Sequence, residues 1–524
     1  MRHAKPHLAL LVMAVAFVAA AMLFLPRLGI EADEAMLANG IYDHGAPWYS
    51  WKFGGNEIPV MLIGYLGALK TWLYNPYFLA VAPGPVSLRL PMVLVSAATL
   101  WLFFALLDRA AGRTAAWIGT LLLATDSCYF LVDATDFGFV VLQFFFKLAA
   151  LLLLLKFHDA GSRGALAAAF FLLGLALWDK AVFLWVLFGL AVAGLVVFPR
   201  EIRRHLTGPN VAWPNLAIAA GAMLAGALPL VIYNIARPLE TLTANAKVGG
   251  EPVFGKLPVL ASTLDGNILF GFVTAAEPGP EPGQPRHWFQ SLSLRTAEWT
   301  RHPRFNLMLP AFLIALPLVW LKDIRRPMLF ALLMCAGTWL AMALSKGAGM
   351  SVQHTILLWP FPQWAIAVAL SRAPVKLAAA GAAVLCLANI AVTNQCYADL
   401  IRNGPAVRWT DSMDALNRYL IDSKAANIYA ADWGFIETLN LISEGDQPMT
   451  AVDGTDSDTI GRMIAAPDGV FVSHTPKYAF RPELRAAVEE LARREGFEEE
   501  TLATISDRNG RPTFDVFRFR KLHL

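Results

Sequence analysis

The chain has 524 residues, of which 56% are hydrophobic and only 16% are charged. Soluble domains average about 25% charged residues, so this composition excludes a disordered chain and argues against a soluble multidomain enzyme. The formal charge of +3 conceals a division, because residues 1–394 contain 28 basic and 19 acidic residues whereas residues 395–524 contain 15 and 21.

Long apolar segments recur through the first three quarters of the chain and predict a polytopic α-helical membrane protein with about eleven spans. The first segment could instead be a cleaved signal peptide, but its apolar run is longer than such a peptide requires. The predicted spans lie near residues 8–25, 90–107, 114–131, 137–155, 164–178, 181–198, 212–233, 306–321, 328–344, 355–371 and 375–394.

Basic residues orient these spans in the cell (inner) membrane. With the N-terminus in the cytoplasm, the short cytoplasmic loops carry fourteen Lys and Arg residues against four acids. This asymmetry is typical of cytoplasmic loops. It places two long loops, residues 26–89 and 234–305, and the acidic C-terminal part on the outer (periplasmic) side.

The apolar run Ile58–Leu69 tests this topology. It is twelve residues long and ends at Lys70. Counting it as a span would move twelve of the fourteen basic residues outside. We therefore expect it to lie in the outer interface as an amphipathic or re-entrant helix.

Residues 395–524 predict a small outer α/β domain, which divides the chain into domains 1–394 and 395–524. Asp432 directly follows a predicted strand, and either it contacts an acceptor or it belongs to a strand-ending turn; the turn is favoured. The predicted elements are the strands 427–431, 469–473 and 513–520 and the amphipathic helix 482–495.

Motifs of soluble enzymes are absent from the sequence. It contains no HExxH, GxSxG or GxGxxG pattern, and its four cysteines form no CxxC pair. Residues 250–256 have the spacing of a phosphate-binding loop but lack its Ser or Thr. We expect no nucleic-acid partner and no cofactor, with a divalent metal left open.

The strongest constellation is the segment 29–38, which contains Asp33 and Glu34 directly after the first span. Adjacent carboxylates at a membrane surface are costly to crowd, so one of them is expected to have a raised pKa. Such a group can accept a proton from a substrate hydroxyl. In the alternative, Asp33 only caps a helix that begins there, and Glu34 favours its dipole.

Asp133 and Asp136 form a second acidic cluster, predicted at the second outer turn. They could orient a substrate or hold a divalent ion. In the alternative they are a solvated cap of the next helix.

Cations on the outer side offer partners for a phosphate: Lys180, Lys346 and His354. For each of them taken alone, snorkelling to the interface is the simpler interpretation. Lys147 lies in the middle of a span, and we expect a structural ion pair for it.

In order and sidedness, these motifs resemble the GT-C membrane glycosyltransferases, specifically the protein-mannosyltransferase, aminoarabinose-transferase and RgtA/B/C/D-like groups. The likeness covers residues 1–200 well and the later spans by topology only. The matching segments are Glu-Ala-Asp33-Glu34-Ala, Ser87-Leu-Arg89-Leu-Pro91, Ala111-Gly-Arg113-Thr, Leu123-Ala-Thr-Asp126 with Asp136-Phe-Gly138, and Gly174-Leu-Ala-Leu-Trp-Asp-Lys180.

The resemblance implies a polyprenyl-phosphate-linked sugar as donor and a lipid, glycan or protein as acceptor. It also implies transfer at the outer face with inversion at the anomeric carbon. We expect Asp33 to act as general base, with Glu34 orienting it or the acceptor. The further predicted contacts are Lys180, Lys346 and His354 with the leaving phosphate, and Asp133 and Asp136 with sugar or acceptor.

The first outer loop departs from the family pattern. Relatives often carry Lys-Pro-Pro there, with the lysine near the donor phosphate. The corresponding stretch here is Asn56-Glu57-Ile58-Pro59, which has no lysine. Lys52 could substitute for it, and Glu57 is included among the predicted substrate contacts.

The alternative function is a polytopic transporter or lipid flippase with an outer domain. That class predicts ionisable residues at the middle of the bilayer and repeated halves. The sequence shows one mid-span charge and no clear repeat, so an enzyme is favoured. A third interpretation is a non-catalytic relative whose outer domain binds a partner.

Overall fold

The computed structural model describes residues 4–39, 48–207, 212–245, 249, 252–447 and 449–522. Helices dominate the first four fifths of the chain. In chain order this part contains α1 (Ala4–Phe24), α2 (Ala32–Ala38), β1 (Tyr49–Phe53), β2 (Asn56–Ile63), β3 (Leu66–Gly67), α3 (Leu69–Phe78), α4 (Pro85–Ala111), α5 (Arg113–Thr125), α6 (Ser127–Thr135), α7 (Val141–Ala160), α8 (Arg163–Asp179), α9 (Leu184–Val197), α10 (Pro199–Leu206), α11 (Ala212–Gly226), α12 (Leu228–Ala236), α13 (Glu240–Asn245), α14 (Leu257–Leu264), α15 (Trp288–Trp299), α16 (Met308–Ala315), α17 (Arg325–Ala343), α18 (Val352–Thr355), α19 (Phe361–Leu370) and α20 (Val375–Asn403).

The apolar helices show a multi-pass membrane protein. Among the described residues, five helices are long and apolar enough to cross a membrane, and three bent pairs raise the number to eight if each pair is one span. The bent pairs are α5 with α6, α11 with α12, and Ala181–Val197 with Pro199–His205. The predicted count of about eleven is not confirmed, because several of the predicted spans form helices shorter than the roughly 20 residues that a span requires.

The main apolar core lies between the helices of the membrane part. The pairs α9–α17, α8–α11, α7–α8 and α4–α5 pack side by side. The span His7–Arg27, which includes most of α1, has only 28% of its apolar window buried. It therefore presents most of its surface to lipid.

The run Ile58–Leu69 does not form the predicted interfacial helix. Residues 58–63 belong to β2, which pairs with β1 as an antiparallel hairpin, and β3 adds a third strand. A short apolar run cannot be assigned to helix or strand by periodicity alone. The expectation that it does not cross the membrane agrees with an eight-residue strand, which is too short to span a bilayer.

Lys147 makes no ion pair with a described residue, so the ion pair predicted for it is wrong. Its Nζ donates to the carbonyl oxygens of Leu357 and Trp359 at 2.8 and 2.5 Å. The ammonium thereby satisfies carbonyl groups that the break before α19 leaves without helical partners.

The C-terminal part is an α/β unit around a five-stranded sheet. The strand order is β5-β4-β6-β8-β7, with β4 parallel to β5 and β6 and with β8 antiparallel to β6 and β7. Its elements are α21 (Met413–Ser423), β4 (Asn427–Ala430), α22 (Ile436–Ile442), β5 (Met449–Ala451), α23 (Ser457–Ala465), β6 (Gly469–His474), α24 (Pro482–Arg494), β7 (Phe497–Ser506) and β8 (Pro512–Lys521).

The strands predicted at 427–431, 469–473 and 513–520 and the helix predicted at 482–495 are confirmed as β4, β6, β8 and α24. β5 and β7 and the other helices of this part were not predicted. α20 continues to Asn403 across the predicted boundary at residue 394, so the division into two domains stays a prediction.

Candidate active site

The acidic segment after α1 starts α2 with a side-chain cap. Glu31 occupies the N-cap position, and its Oε2 accepts a hydrogen bond from the Asp33 main-chain N–H at 2.7 Å. Such acceptors satisfy main-chain donors that the first helical turn leaves free. The alternative that Asp33 is the cap is therefore wrong. Glu31 takes that role, and Asp33 is the second residue of the helix.

A glycine brings the C-terminal part close to this segment. The Gly29 N–H donates to the Trp409 carbonyl oxygen at 2.9 Å, and a Cβ at Gly29 would lie 1.8 Å from the Thr410 carbonyl oxygen. No side chain fits in that space. This contact places Arg408, in the turn after α20, beside Glu31.

Glu34 is fixed by a buried arginine at the start of α4. Arg89 donates to both carboxylate oxygens of Glu34, from Nε at 3.0 Å and from Nη2 at 3.3 Å. The same guanidinium donates to the carbonyl oxygens of Gly29 and Leu28 at 2.6 and 3.1 Å. Both Arg89 and Glu34 are fully buried. Glu34 therefore anchors α2 on α4 through a forked ion pair.

Glu31 is bound to the C-terminal part. Its Oε1 lies 2.6 Å from Nη1 of Arg408. The Arg408 guanidinium also stacks against three aromatic rings at 5.6 to 5.9 Å, those of Phe137, Trp433 and Phe480. Arginine favours such aromatic faces. A single side chain thus contacts the acidic segment, the loop between α6 and α7, and the C-terminal part.

Asp33 is the acid of this segment whose carboxylate remains available. Its side chain accepts no hydrogen bond from any described residue and is partly exposed. Burial raises the pKa of Asp33 above its ordinary value, and the charges of Arg408 and Lys180 oppose that rise. Burial also raises the pKa of Glu31, which lies beside it. A partly desolvated carboxylate of this kind has the character of a general base.

Two lysines converge on the loop between α6 and α7. Lys70 is fully buried and pairs with Asp136, with Nζ 2.5 Å from Oδ2. Lys180 donates to the carbonyl oxygen of Gly138 at 2.6 Å. Both ammonium groups lie near the Phe139 ring, at 5.5 and 5.8 Å from its centroid. The two lysines concentrate positive charge at this loop.

Lys180 links this cationic point to the acidic segment. It lies within electrostatic range of Asp33 and Asp136, and of the His354 ring. Glu34 in turn lies within range of Asp136. The structure therefore brings five of the predicted site residues into one electrostatic neighbourhood.

The three-stranded hairpin unit positions Lys180. Leu66 in β3 forms an antiparallel bridge with Lys180, and the Ala181 N–H donates to the Tyr65 carbonyl oxygen at 2.9 Å. Tyr65 itself lies within electrostatic range of Asp33. The segment predicted as an interfacial helix thus forms part of the site as a strand.

Asp133 and Asp136 are buried, so the solvation in the alternative is wrong, although Asp136 does bind the first N–H of the next helix, α7. Asp136 ends α6 in the left-handed region with φ of 47°, and its Oδ1 accepts from the Val141 N–H at 3.2 Å. Asp133 is fully buried one turn earlier, and neither of its oxygens accepts a hydrogen bond from a described residue.

Two predicted contacts lie apart from this neighbourhood. Glu57 is on the exposed β1–β2 hairpin, where it pairs with Lys52 at 3.0 Å. Lys346 is exposed in the turn after α17. Neither contacts Asp33 or Lys180 among the described residues.

His354 lies in the neighbourhood without a charge. Its Nδ1 accepts a hydrogen bond from the Gly349 N–H at 3.2 Å, and Trp185 packs edge-on against its ring. Burial, together with the nearby Lys180, lowers the pKa of His354 to about 3. At neutral pH it can therefore offer a phosphate a neutral donor rather than a cation.

Sequence reasoning missed the roles of four residues of the site. Arg89 lies in a segment that the family resemblance singled out, and Lys70 ends the apolar run. Both positions could therefore have been identified from the sequence. Glu31 is part of the acidic segment but was not distinguished from its neighbours. Arg408 lies 375 positions after Asp33, and only the fold brings the two together.

A metal site is not evident among the described residues. No group of three or more His, Cys, Asp or Glu side chains there converges in a way that could hold a metal ion. The nearest charges to the carboxylates of this neighbourhood are lysine and arginine side chains.

No protein-family model and no curated protein sequence matches the chain. Among solved structures, ArnT from Cupriavidus metallidurans bound to undecaprenyl phosphate superposes on 96% of this chain and 97% of its own, with a TM-score of 0.57 and 14% identity. The apo state of ArnT gives the same coverage, with a TM-score of 0.58 and 13% identity. The arabinofuranosyltransferase AftD from Mycobacteria aligns with 97% of this chain and 41% of its own, with a TM-score of 0.45 and 14% identity.

The chain has the ArnT fold. The likeness extends from the first span through the C-terminal sheet, because it covers nearly the whole of both chains. It confirms the predicted fold class, a GT-C type helical membrane protein with a small C-terminal α/β part.

Proposed function

We propose that the protein is a membrane glycosyltransferase that moves a sugar from a polyprenyl-phosphate carrier to a lipid, glycan or protein acceptor. The ArnT fold supports this class, and one of the two ArnT structures is bound to undecaprenyl phosphate. The observation that carries the proposal is Asp33, a partly buried carboxylate that accepts no hydrogen bond from a described residue and lies beside Arg408 and Lys180.

In the proposed reaction Asp33 is the general base. One of its carboxylate oxygens takes the proton of the acceptor hydroxyl while the hydroxyl oxygen attacks the anomeric carbon. The bond between the anomeric carbon and the donor phosphate oxygen breaks on the opposite face, so the product has inverted configuration. The electron pair of the broken bond leaves with the polyprenyl phosphate.

Lys180 is proposed to stabilise the leaving phosphate. Its ammonium is already near Asp33, so the base and the cation can act on the two sides of one anomeric carbon. Positive charge directed at an oxygen that gains charge in the transition state is an effective source of catalysis. His354 contributes a neutral donor, and Asp136 acts through its ion pair with Lys70.

Glu34 is a positioning residue in this mechanism. Both of its carboxylate oxygens accept from Arg89, which fixes α2 and with it the direction of Asp33. The roles predicted for Asp133, Glu57 and Lys346 remain predictions, because none of them contacts Asp33 or Lys180 among the described residues.

The proposed location is the inner membrane, with the N-terminus in the cytoplasm and the C-terminal part outside. The distribution of basic residues supports this orientation. A lipid carrier can present its sugar in the outer leaflet, where cytoplasmic nucleotide sugars are not available. The base, the cations and the donor would then meet on the same side.

Replacing the base tests the proposal. Asp33→Asn keeps the size of the side chain and removes its ability to take a proton, so we expect sugar transfer to fall by roughly 10²- to 10⁴-fold. The measurement is mass spectrometry of envelope glycolipids and glycoproteins from cells that express the variant, the unmodified protein or neither. Quantification of the protein in membranes checks expression and insertion.

Asp422→Asn is the matched control, because Asp422 is exposed on α21 and makes no hydrogen bond or ion pair with a described residue. It should leave transfer unchanged. Full turnover by Asp33→Asn would remove Asp33 from the mechanism. No difference in envelope glycans between cells with and without the protein, combined with altered lipid distribution across the membrane, would favour the transporter or flippase.

A further inference from the structure

A cavity lies outside the Asp33 neighbourhood. Its volume is about 270 Å³, and it is formed where the outer end of the first span, the start of α15, the end of α20 and the β7–β8 turn meet. None of Glu31, Asp33, Glu34, Arg408 and Lys180 lines it. The proposed transfer reaction therefore leaves this cavity without a function.

Three arginines surround the cavity: Arg27, Arg286 and Arg508. Arg286 and Arg508 are close enough to Arg27 for their charges to repel it. Among the described residues that line the cavity, Asp411 is the one acid; Nε of Arg508 lies 3.4 Å from its Oδ2, and its charge also acts on Arg27, so three guanidiniums face a single carboxylate. Arg27 and Arg286 have no ion pair with a described residue. Like charges gathered in this way are unfavourable unless an anion lies between them.

The start of α15 adds to the positive potential. The lining includes His287, which precedes this twelve-residue helix, and Phe289 in its first turn. The first N–H groups of a helix lack intrahelical acceptors, and the helix dipole favours negative charge there. The arginines and the N-terminus of α15 therefore both favour an anion in this cavity.

The walls of the cavity are held by close contacts. Gly404, after α20, has φ of +78°, and a Cβ there would lie 2.2 Å from Oδ1 of Asn509. Nδ2 of Asn509 donates to the carbonyl oxygens of Arg402 and Glu281, both at 3.2 Å. The turn between β7 and β8 is thus locked onto the end of α20, and the cavity is formed without a ligand.

The remaining wall is apolar and is formed in part by the first membrane span. Met22 and Leu23 line the cavity from the last turns of the first span, and Leu23 is 47% exposed. Phe289, Leu400 and Ile401 add to the apolar lining. A ligand that combines an anionic group with an apolar chain matches both sides of this cavity.

We propose that this cavity binds the phosphate-bearing headgroup of a membrane lipid, at a site separate from Asp33. The three guanidiniums supply forked donors that suit phosphate geometry. The first acyl carbons would lie along Met22 and Leu23 and continue into the bilayer. Free phosphate shares the headgroup chemistry but lacks the acyl part, so the two sources are separable.

Binding to the purified full-length protein in detergent tests the site. Three probes are compared by isothermal titration calorimetry: dioctanoyl phosphatidic acid, inorganic phosphate and phosphate-free dioctanoylglycerol. We expect the unmodified protein to bind phosphatidic acid, with inorganic phosphate and dioctanoylglycerol each weaker by roughly tenfold or more. Added salt should weaken binding of phosphatidic acid.

The double variant Arg27→Gln/Arg286→Gln should weaken binding of phosphatidic acid by roughly tenfold or more. Its control is Arg295→Gln/Arg301→Gln, which removes the same charge from exposed arginines whose side chains have no ion pair with a described residue. If the double variant fails to fold, Arg286→Gln alone serves, because that side chain is exposed.

Equal binding of phosphatidic acid by the double variant and its control would contradict the proposal that this cavity binds the lipid. Equal affinity of the unmodified protein for phosphatidic acid and inorganic phosphate would overturn the assignment to a lipid. The readout is binding and not sugar transfer, so Asp33→Asn should bind the lipid as the unmodified protein does. Failure of the proposed transferase function is thus distinguishable from failure of this site.

Discussion

Glu31, Asp33 and Glu34 lie within four residues, but the surroundings of their carboxylates differ. Arg408 holds Glu31 at 2.6 Å and Arg89 holds Glu34 at 2.9 Å. Asp33 alone keeps a carboxylate without a donor among the described residues. The difference between structural acid and candidate base therefore arises from tertiary partners, which are not adjacent to the acids in sequence.

At this scale the pH dependence of transfer is a test of Asp33. Arg408 and Lys180 hold the pKa of Asp33 below the value that burial alone would give. Arg408→Gln removes one of these charges, so the pKa of Asp33 should rise further. A base must be deprotonated to act, and the acid limb of the kcat/KM profile should therefore move to higher pH by about one unit.

Arg418→Gln is the control for this profile. Arg418 is an arginine of the same outer part, and its only side-chain bond among the described residues is to the carbonyl oxygen of Asp414. Its profile should match that of the unmodified protein. An acid limb that stays in place in Arg408→Gln would mean that Asp33 is not the titrating base, or that Arg408 does not act on it.

At the scale of elements, the position of α2 depends on contacts with α4 and with the turn after α20. Arg89 binds Glu34 and two main-chain carbonyls of the loop before α2, all of them buried. The hairpin β1–β2 with β3 forms the other side of the site and positions Lys180. The site is therefore built from the packing of α2 against α4, the turn after α20 and the three-stranded unit, and not from one motif.

Removing Arg89 should destabilise the protein strongly. Arg89→Met leaves the buried Glu34 without its partner, which typically costs about 3–5 kcal/mol. Thermal unfolding of the purified protein measures the effect. Arg113→Met is the comparison, since the ion pair of Arg113 with Asp108 is partly exposed and such pairs contribute about 0–1 kcal/mol.

If Arg89→Met and Arg113→Met lower the melting temperature equally, the anchoring role of Arg89 is wrong. The double variant Arg89→Met/Glu34→Met provides a further check. It removes both charges, so it should recover part of the lost stability.

The hairpin shows where sequence patterns fail at this scale. Residues 58–69 are continuously apolar apart from their glycines and a tyrosine, and a run of this kind fits a strand or a helix equally well. The run forms a strand because it pairs with β1, and that pairing depends on the tertiary structure. By contrast β4, β6, β8 and α24 were predictable, because their apolar patterns are short, regular and bounded by turn residues.

At the scale of the whole molecule, the proposed chemistry requires that the acidic segment and the C-terminal part share one side of the membrane. The structure joins them directly, through Gly29 with Trp409 and through Glu31 with Arg408. The orientation of this joined unit relative to the cytoplasm rests on the distribution of basic residues.

A reporter at the C-terminus tests that orientation. Alkaline phosphatase fused after residue 524 should be active, because it folds only outside the cytoplasm, and a fluorescent protein that requires the cytoplasm should be dark. A second fusion, at the end of α10, which contains Arg203, should give the opposite result. Cytoplasmic activity of the C-terminal fusion would place Asp33 on the side without a lipid-borne donor.

The sequence by itself determined the class of the molecule. Long apolar segments require helices in a bilayer, the fall in hydrophobicity after residue 394 marks a different environment, and the acidic segment after the first span points to the site. These features are local in the chain, so composition and periodicity report them. Only the tertiary structure decided which acid is free, because Arg89 and Arg408 reach the segment from 55 and 377 positions away in the chain. Partners so distant in sequence leave no local pattern, and the charge, burial and direction of Asp33 depend on them.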